Sequence, residues 1–149
     1  MGLQQQVMEQ MKVAMKSKDK VALESLRAIK SALLLAQTES GSGSELSEEA
    51  EIQMVQKLVK QRKDSAAIFI TQGRSDLAEP ELAQVAVIEQ FLPEQLSEEA
   101  IKKVVDETIA DTGASGMKDM GKVMGIVSKK LAGQADGKTI STIVKSKLI

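Results

Sequence analysis

The chain has 149 residues, 42% of them hydrophobic and 28% charged, with a formal net charge of −1; this is enough apolar material for one domain or two small ones, and it argues against a disordered chain. Cysteine and histidine are both absent, which excludes disulfides, thiol nucleophiles, Ser-His-Asp triads and the common zinc sites, so neither a metal nor a cofactor is expected. There is no apolar run of about 18 residues, and the Met1-Gly2-Leu3-Gln4-Gln5-Gln6 start is neither basic nor apolar, so no membrane helix and no signal peptide are expected and the cytoplasm is the default location.

The first helix is marked by Leu3, Val7, Met11, Ala14 and Met15, which share one helical face. Asp19 is placed to cap a second helix over roughly 20–38, whose stripe is Ala22, Leu26, Ile29, Leu33 and Ala36. Ser40-Gly41-Ser42-Gly43-Ser44 has the composition of a flexible linker. Ser47 then caps a third helix with Glu48 and Glu49 in its first turn, where the helix dipole favours anions. Its apolar positions are Ile52, Val55, Leu58, Val59, Ala66 and Phe69, and Gly73 is the expected residue just past its end. A fourth helix carries Leu82, Val85, Ala86, Ile88 and Leu92. Pro80 disfavours a regular helix through it, so the helix is expected to start near there and to stop at Pro93.

The segment Leu92-Pro93-Glu94-Gln95-Leu96-Ser97 reads as a junction, after which the Leu-Ser-Glu-Glu-Ala start signal recurs at 96–100. Leu96 and Ile101 are spaced as a hydrophobic staple. A fifth helix follows with Ile101, Val104, Val105, Thr108 and Ile109, broken by Gly113-Ala114-Ser115-Gly116. The sixth is expected over Lys118–Leu131 and ends at Gly133; a seventh, capped by Asp136, has the face Ile140, Ile143, Val144 and Leu148. No segment alternates with period two for long enough to be a strand. The expected fold is all-α: an N-terminal four-helix domain over 1–93 and a small three-helix tail over 94–149.

Charge is unevenly spread. Residues 1–93 carry 11 basic and 13 acidic side chains, residues 94–112 carry 2 and 6, and residues 113–149 carry 7 and 2. A basic final third suggests an anionic partner for that part, against the alternative of lysines that merely solvate helix faces. The only aromatic residues are Phe69 and Phe91, so unpaired bases cannot be held on an aromatic platform.

The sixth helix sorts into three stripes at one spacing: apolar Met120, Met124, Val127 and Leu131; basic Lys118, Lys122 and Lys129 around Gly125; and small Gly121, Gly125, Ser128 and Ala132. Each glycine inside a helix costs about 1 kcal/mol relative to alanine, so the bared backbone needs a use. Close packing by another helix is one use. Close approach of a nucleic-acid backbone, with lysines on its phosphates, is the other. The spacing leaves both open, with helix packing slightly favoured.

At these residues the chain resembles a known family. Asp119-Met-Gly-Lys-Val-Met-Gly125, the Gly133-Gln-Ala-Asp-Gly137 turn, and Ile143-Val144 followed by Leu148 are similar to the tail domain of GatB, the tRNA-recognising subunit of the glutamine-dependent aspartyl/glutamyl-tRNA amidotransferase. With Gln61-Arg62-Lys63-Asp64-Ser65 and Leu92-Pro93-Glu94-Gln95-Leu96, nearly the whole chain resembles the stand-alone GatB/YqeY family; the Ser-Gly linker and Pro80 are local departures. The resemblance implies a tail that contacts the elbow of tRNA, as related modules appended to some glutaminyl-tRNA synthetases bind tRNA. The implied contact set is Lys118, Gly121, Lys122, Gly125, Lys129, Lys130, Lys138 and Lys145. GatB's kinase and transamidation site lies in a separate domain with no counterpart here, so no catalytic residue is carried over.

Three functions follow: a tRNA-binding accessory module; a carbon–nitrogen ligase with glutamine as amido donor, the label inherited from GatB; or a module docking on a tRNA synthetase or amidotransferase through the third helix. The ligase reading would use carboxylates such as Asp64, Asp106 and Glu107, which stand on ordinary polar helix faces. Arg62 falls on the apolar stripe of the third helix. It either pairs with a buried carboxylate in a structural role, the reading preferred, or binds an anion.

Overall fold

The computed structural model describes residues 2–39 and 46–149, so the Ser40–Ser44 linker lies outside the described residues. Among these residues there are seven α-helices and no strand: α1 (Leu3–Ser17), α2 (Lys20–Glu39), α3 (Glu48–Thr71), α4 (Ser75–Glu89), α5 (Glu98–Thr112), α6 (Met120–Lys130) and α7 (Gly137–Leu148). They fall into two compact units, 1–92 and 93–149.

In the first unit the helix ends follow local chemistry. The Asp19 carboxylate accepts the Ala22 N–H at 3.1 Å at the start of α2, and the Ser47 hydroxyl accepts the Ala50 N–H at 3.1 Å at the start of α3. At the other end of α3, Gly73 adopts φ +73°. There its N–H donates to Ile70 and the Arg74 N–H to Phe69, at 3.0 and 2.7 Å. This crossed pair satisfies carbonyls that the helix leaves open, and it requires the left-handed residue that glycine supplies. The core is built from Leu3, Val7 and Ala14 of α1, Leu26, Ile29 and Leu33 of α2, Val55 and Val59 of α3, and Val85 and Ile88 of α4. Met15 is not part of it; it is 53% exposed.

α4 departs from expectation. It begins at Ser75, five residues before Pro80, and ends at Glu89, short of Pro93. Its buried side is Ala78, Val85 and Ile88, while Leu82 and Ala86 face outward. Pro80 has no N–H for the Asp76 carbonyl and so costs one helical bond. Ala78 beside it is 2% exposed, and Val85 and Ile88 hold the helix in the core. The first turn is also held by Arg74, whose Nε and Nη2 donate to both Asp76 carboxylate oxygens at 3.0 Å. The guanidinium holds the Asp76 carboxyl below its usual range.

In the second unit the Ser97 hydroxyl accepts the Ala100 N–H at 3.2 Å to start α5, Leu96 packs on the core that includes Ile101, and Gly113 ends α5 at φ +68°. Ile101 and Val105 of α5, Val123 and Val127 of α6, Leu131, Ala135, and Ile140, Ile143, Val144 and Leu148 of α7 form one apolar cluster. The expected apolar stripe of α6 is shifted. Val123 is fully buried and belongs to it, while Met120 and Met124 sit at its edge. Lys118 is not in α6 at all; it lies in a 3-10 turn over Met117–Asp119 that precedes it. That turn is closed by the Asp119 carboxylate, which accepts the Ser115 N–H at 3.1 Å.

Candidate nucleic-acid interface

Burial of Val123, Val127 and Leu131 fixes which way α6 turns its other faces. At about 100° per residue, Lys122, Gly125 and Lys129 lie on the side away from the core, and all three are exposed. Lys122 and Lys129 are then about 10 Å apart along the helix axis. The small stripe of Gly121, Gly125, Ser128 and Ala132 runs beside them and is also exposed. A Cβ built on Gly121 or on Gly125 would meet nothing within 4 Å. Helix packing, the use the spacing slightly favours, is therefore not what these glycines serve within the second unit. The backbone of α6 is bare to solvent beside a row of cations.

The eight residues of the expected contact set do not behave alike. On α7, Lys138 and Lys145 are seven residues apart on the solvent side, opposite Ile140 and Ile143. Lys118, Lys122, Lys129, Lys138 and Lys145 form no ion pair with any described residue. Lys130 is different: its ammonium lies 3.4 Å from the Thr108 hydroxyl of α5, on the other flank of α6. Lys147, outside the set, pairs with Asp106 of α5 at 3.3 Å. α5 thus engages two of the seven lysines of this third, and the other five make no side-chain bond to any described residue.

The carboxylates weighed for catalysis are ordinary surface groups. Asp64 pairs with Lys60 at 2.9 Å, Asp106 with Lys147, and Glu107 is exposed. A groove of about 490 Å³ in the first unit, floored by Ala14, Ala22 and Leu26, carries one ionisable side chain, Asp19, which already caps α2.

Arg62 is half-buried, and its partner is not a carboxylate. Its Nε donates to the Gln84 amide oxygen at 2.8 Å and its Nη1 to the Leu58 carbonyl at 3.1 Å; Gln84 in turn donates to Glu24 at 3.5 Å. The side chain ties α3 to α4 and through Gln84 to α2, a structural role with a neutral amide where an acid was expected. Arg62→Ala is expected to lower stability by about 1–2 kcal/mol through loss of these bonds and to leave RNA affinity unchanged. Urea unfolding and an RNA titration check this, and lost affinity in a fully stable variant would make Arg62 an anion ligand.

A family model described as Yqey-like protein matches residues 4–148. The chain belongs to the YqeY-like family. It is also 38% identical over 73 residues to a glutamyl-tRNA(Gln) amidotransferase subunit of Thermococcus gammatolerans. That match covers 46% of this YqeY-like chain and 12% of the relative. No helix among the described residues is long and apolar enough to cross a membrane.

Proposed function

We propose that this YqeY-like chain is a tRNA-binding accessory module, in which residues 94–149 act as a tail domain that contacts the tRNA elbow and residues 1–93 form a helical domain available to a tRNA synthetase or amidotransferase. The observation that carries the reading is the open glycine face of α6, flanked by lysines that form no ion pair with any described residue. A helix gives up roughly 1 kcal/mol of propensity for Gly125 in its interior, and no described residue lies within 4 Å of a Cβ built there or on Gly121. A phosphate backbone can approach such a face to the depth of the peptide groups, with ammonium groups on either side. The second unit has no aromatic residue, so the contact reads shape and phosphate and not stacked bases. The likeness to a protein named for a glutamyl-tRNA(Gln) amidotransferase agrees in substrate class.

In this reading the chain performs no amide transfer itself. Ligase chemistry needs a group that activates or carries an acyl phosphate, and the carboxylates considered for it are exposed or paired with lysine.

A titration of the full chain with tRNA across a salt series tests the proposal. Each lysine–phosphate contact contributes about 0.7–0.9 to the slope of log K against log salt. Four contacts give a slope near −3, with binding largely lost between about 50 and 200 mM salt. No binding at 50 mM, or a slope near zero, would refute an RNA contact built on these lysines.

A further inference from the structure

We propose that Gln95 is a positioning residue for the RNA contact: it clamps the turn between α6 and α7 and so holds in register the two lysine rows that the shared core of these helices places side by side. The inference rests on the tRNA-binding reading above. Gln95 lies in the junction motif, which ought to be a plain connector, yet its side chain makes specific bonds. Its Nε2 donates to the Gly133 carbonyl at 2.6 Å and to the Pro93 carbonyl at 3.0 Å. One residue later the Leu96 N–H donates to the Gln134 carbonyl at 2.9 Å. Two consecutive carbonyls of the α6–α7 turn are thus held by two consecutive residues of the segment entering α5.

That turn is the pivot between the basic helices. α6 ends at Lys130 and α7 begins at Gly137. Between them Gly133 takes φ +78° and the Gln134 N–H donates to Leu131 at 2.8 Å. Lys122 and Lys129 stand on one side of the pivot, Lys138 and Lys145 on the other. Both rows engage one RNA at lower cost when their mutual placement is set beforehand, since otherwise binding must order it. A primary amide suits this role, because its two hydrogens match two carbonyls and it brings no charge. Gln95 itself is exposed, so it adds little apolar burial to the core.

The test uses the full chain with Gln95→Met, which keeps length and removes both donors, and Gln95→Glu, which aims acceptors at acceptors. The chain has no cysteine, so Ser128→Cys and Thr142→Cys accept spin labels on α6 and α7 alone; distances are read on the RNA-free labelled chain and affinities on the cysteine-free one, because Ser128 lies on the proposed contact face. The expected result is a broadened label distance in both variants. The tRNA Kd should rise about tenfold, and the salt slope should become shallower by roughly 1–2 as the α7 row disengages. Lys145→Ala should then weaken binding less in the Gln95→Met background than in the wild type, a coupling that loss of stability alone does not produce. Unchanged label distances, or an unchanged slope in folded variants while Lys122→Glu still weakens binding, would overturn this role and spare the functional reading. A wild-type chain that fails to bind tRNA would overturn both.

Discussion

Gly125→Leu is expected to weaken tRNA binding by roughly 30-fold while leaving the melting temperature unchanged or a few degrees higher. Stability and function should part because position 125 has open space around it: a Cβ there meets nothing within 4 Å. Replacing an interior helical glycine recovers up to about 1 kcal/mol of propensity, a gain worth a few degrees in a chain of this size. The same side chain would hold an approaching phosphate backbone several ångströms off the helix and withdraw it from Lys122 and Lys129. Loss of about 2 kcal/mol of binding corresponds to roughly 30-fold in Kd, and Gly125→Ala should lie between. Thermal melting with a low-salt tRNA titration decides the matter. A variant that melts several degrees lower would mean that a helix does pack on this face. A variant with full affinity would remove the glycine stripe from the interface.

Charge reversal at Lys122 and Lys129 together should be the other large effect. Both side chains are exposed and have no ion-pair partner among the described residues, so Lys122→Glu with Lys129→Glu should change stability by no more than about 0.5 kcal/mol per site. Binding should weaken by roughly 100-fold at low salt, and the slope of log K against log salt should become shallower by about 1.5–2, because two phosphate contacts are gone. Lys147→Glu is the matched control. It alters charge by the same amount per site but sits against Asp106, so it should destabilise α7 against α5 and leave the slope intact. A slope lowered as much per site by Lys147→Glu as by the α6 pair would mean that binding is diffuse attraction to a basic surface and not a contact on α6.

Several features of the fold could be read from the residues because they depend only on near neighbours along the chain. Ser47 and Ser97 cap α3 and α5, Gly73 and Gly113 end them, and Ile140, Ile143, Val144 and Leu148 form the buried side of α7. Capping acts within one turn and the helical period acts within a few, so spacing alone specifies both. The basic and small stripes of the sixth helix were visible for the same reason.

Tertiary structure decided what each stripe meets. Spacing cannot tell an open glycine face from one packed by a neighbour, and only the placement of α5 and α7 against Val123 and Val127 leaves Gly121 and Gly125 bare. The same placement separates Lys130, drawn to Thr108, from Lys129, which is not. Pro80 stays inside α4, whose Val85 and Ile88 pack in the core of the first unit, a term that no local propensity contains. Arg62 meets Gln84 across 22 positions and Gln95 meets Gly133 across 38. Such contacts depend on how helices pack in three dimensions, and the chemistry of either residue alone permits several partners.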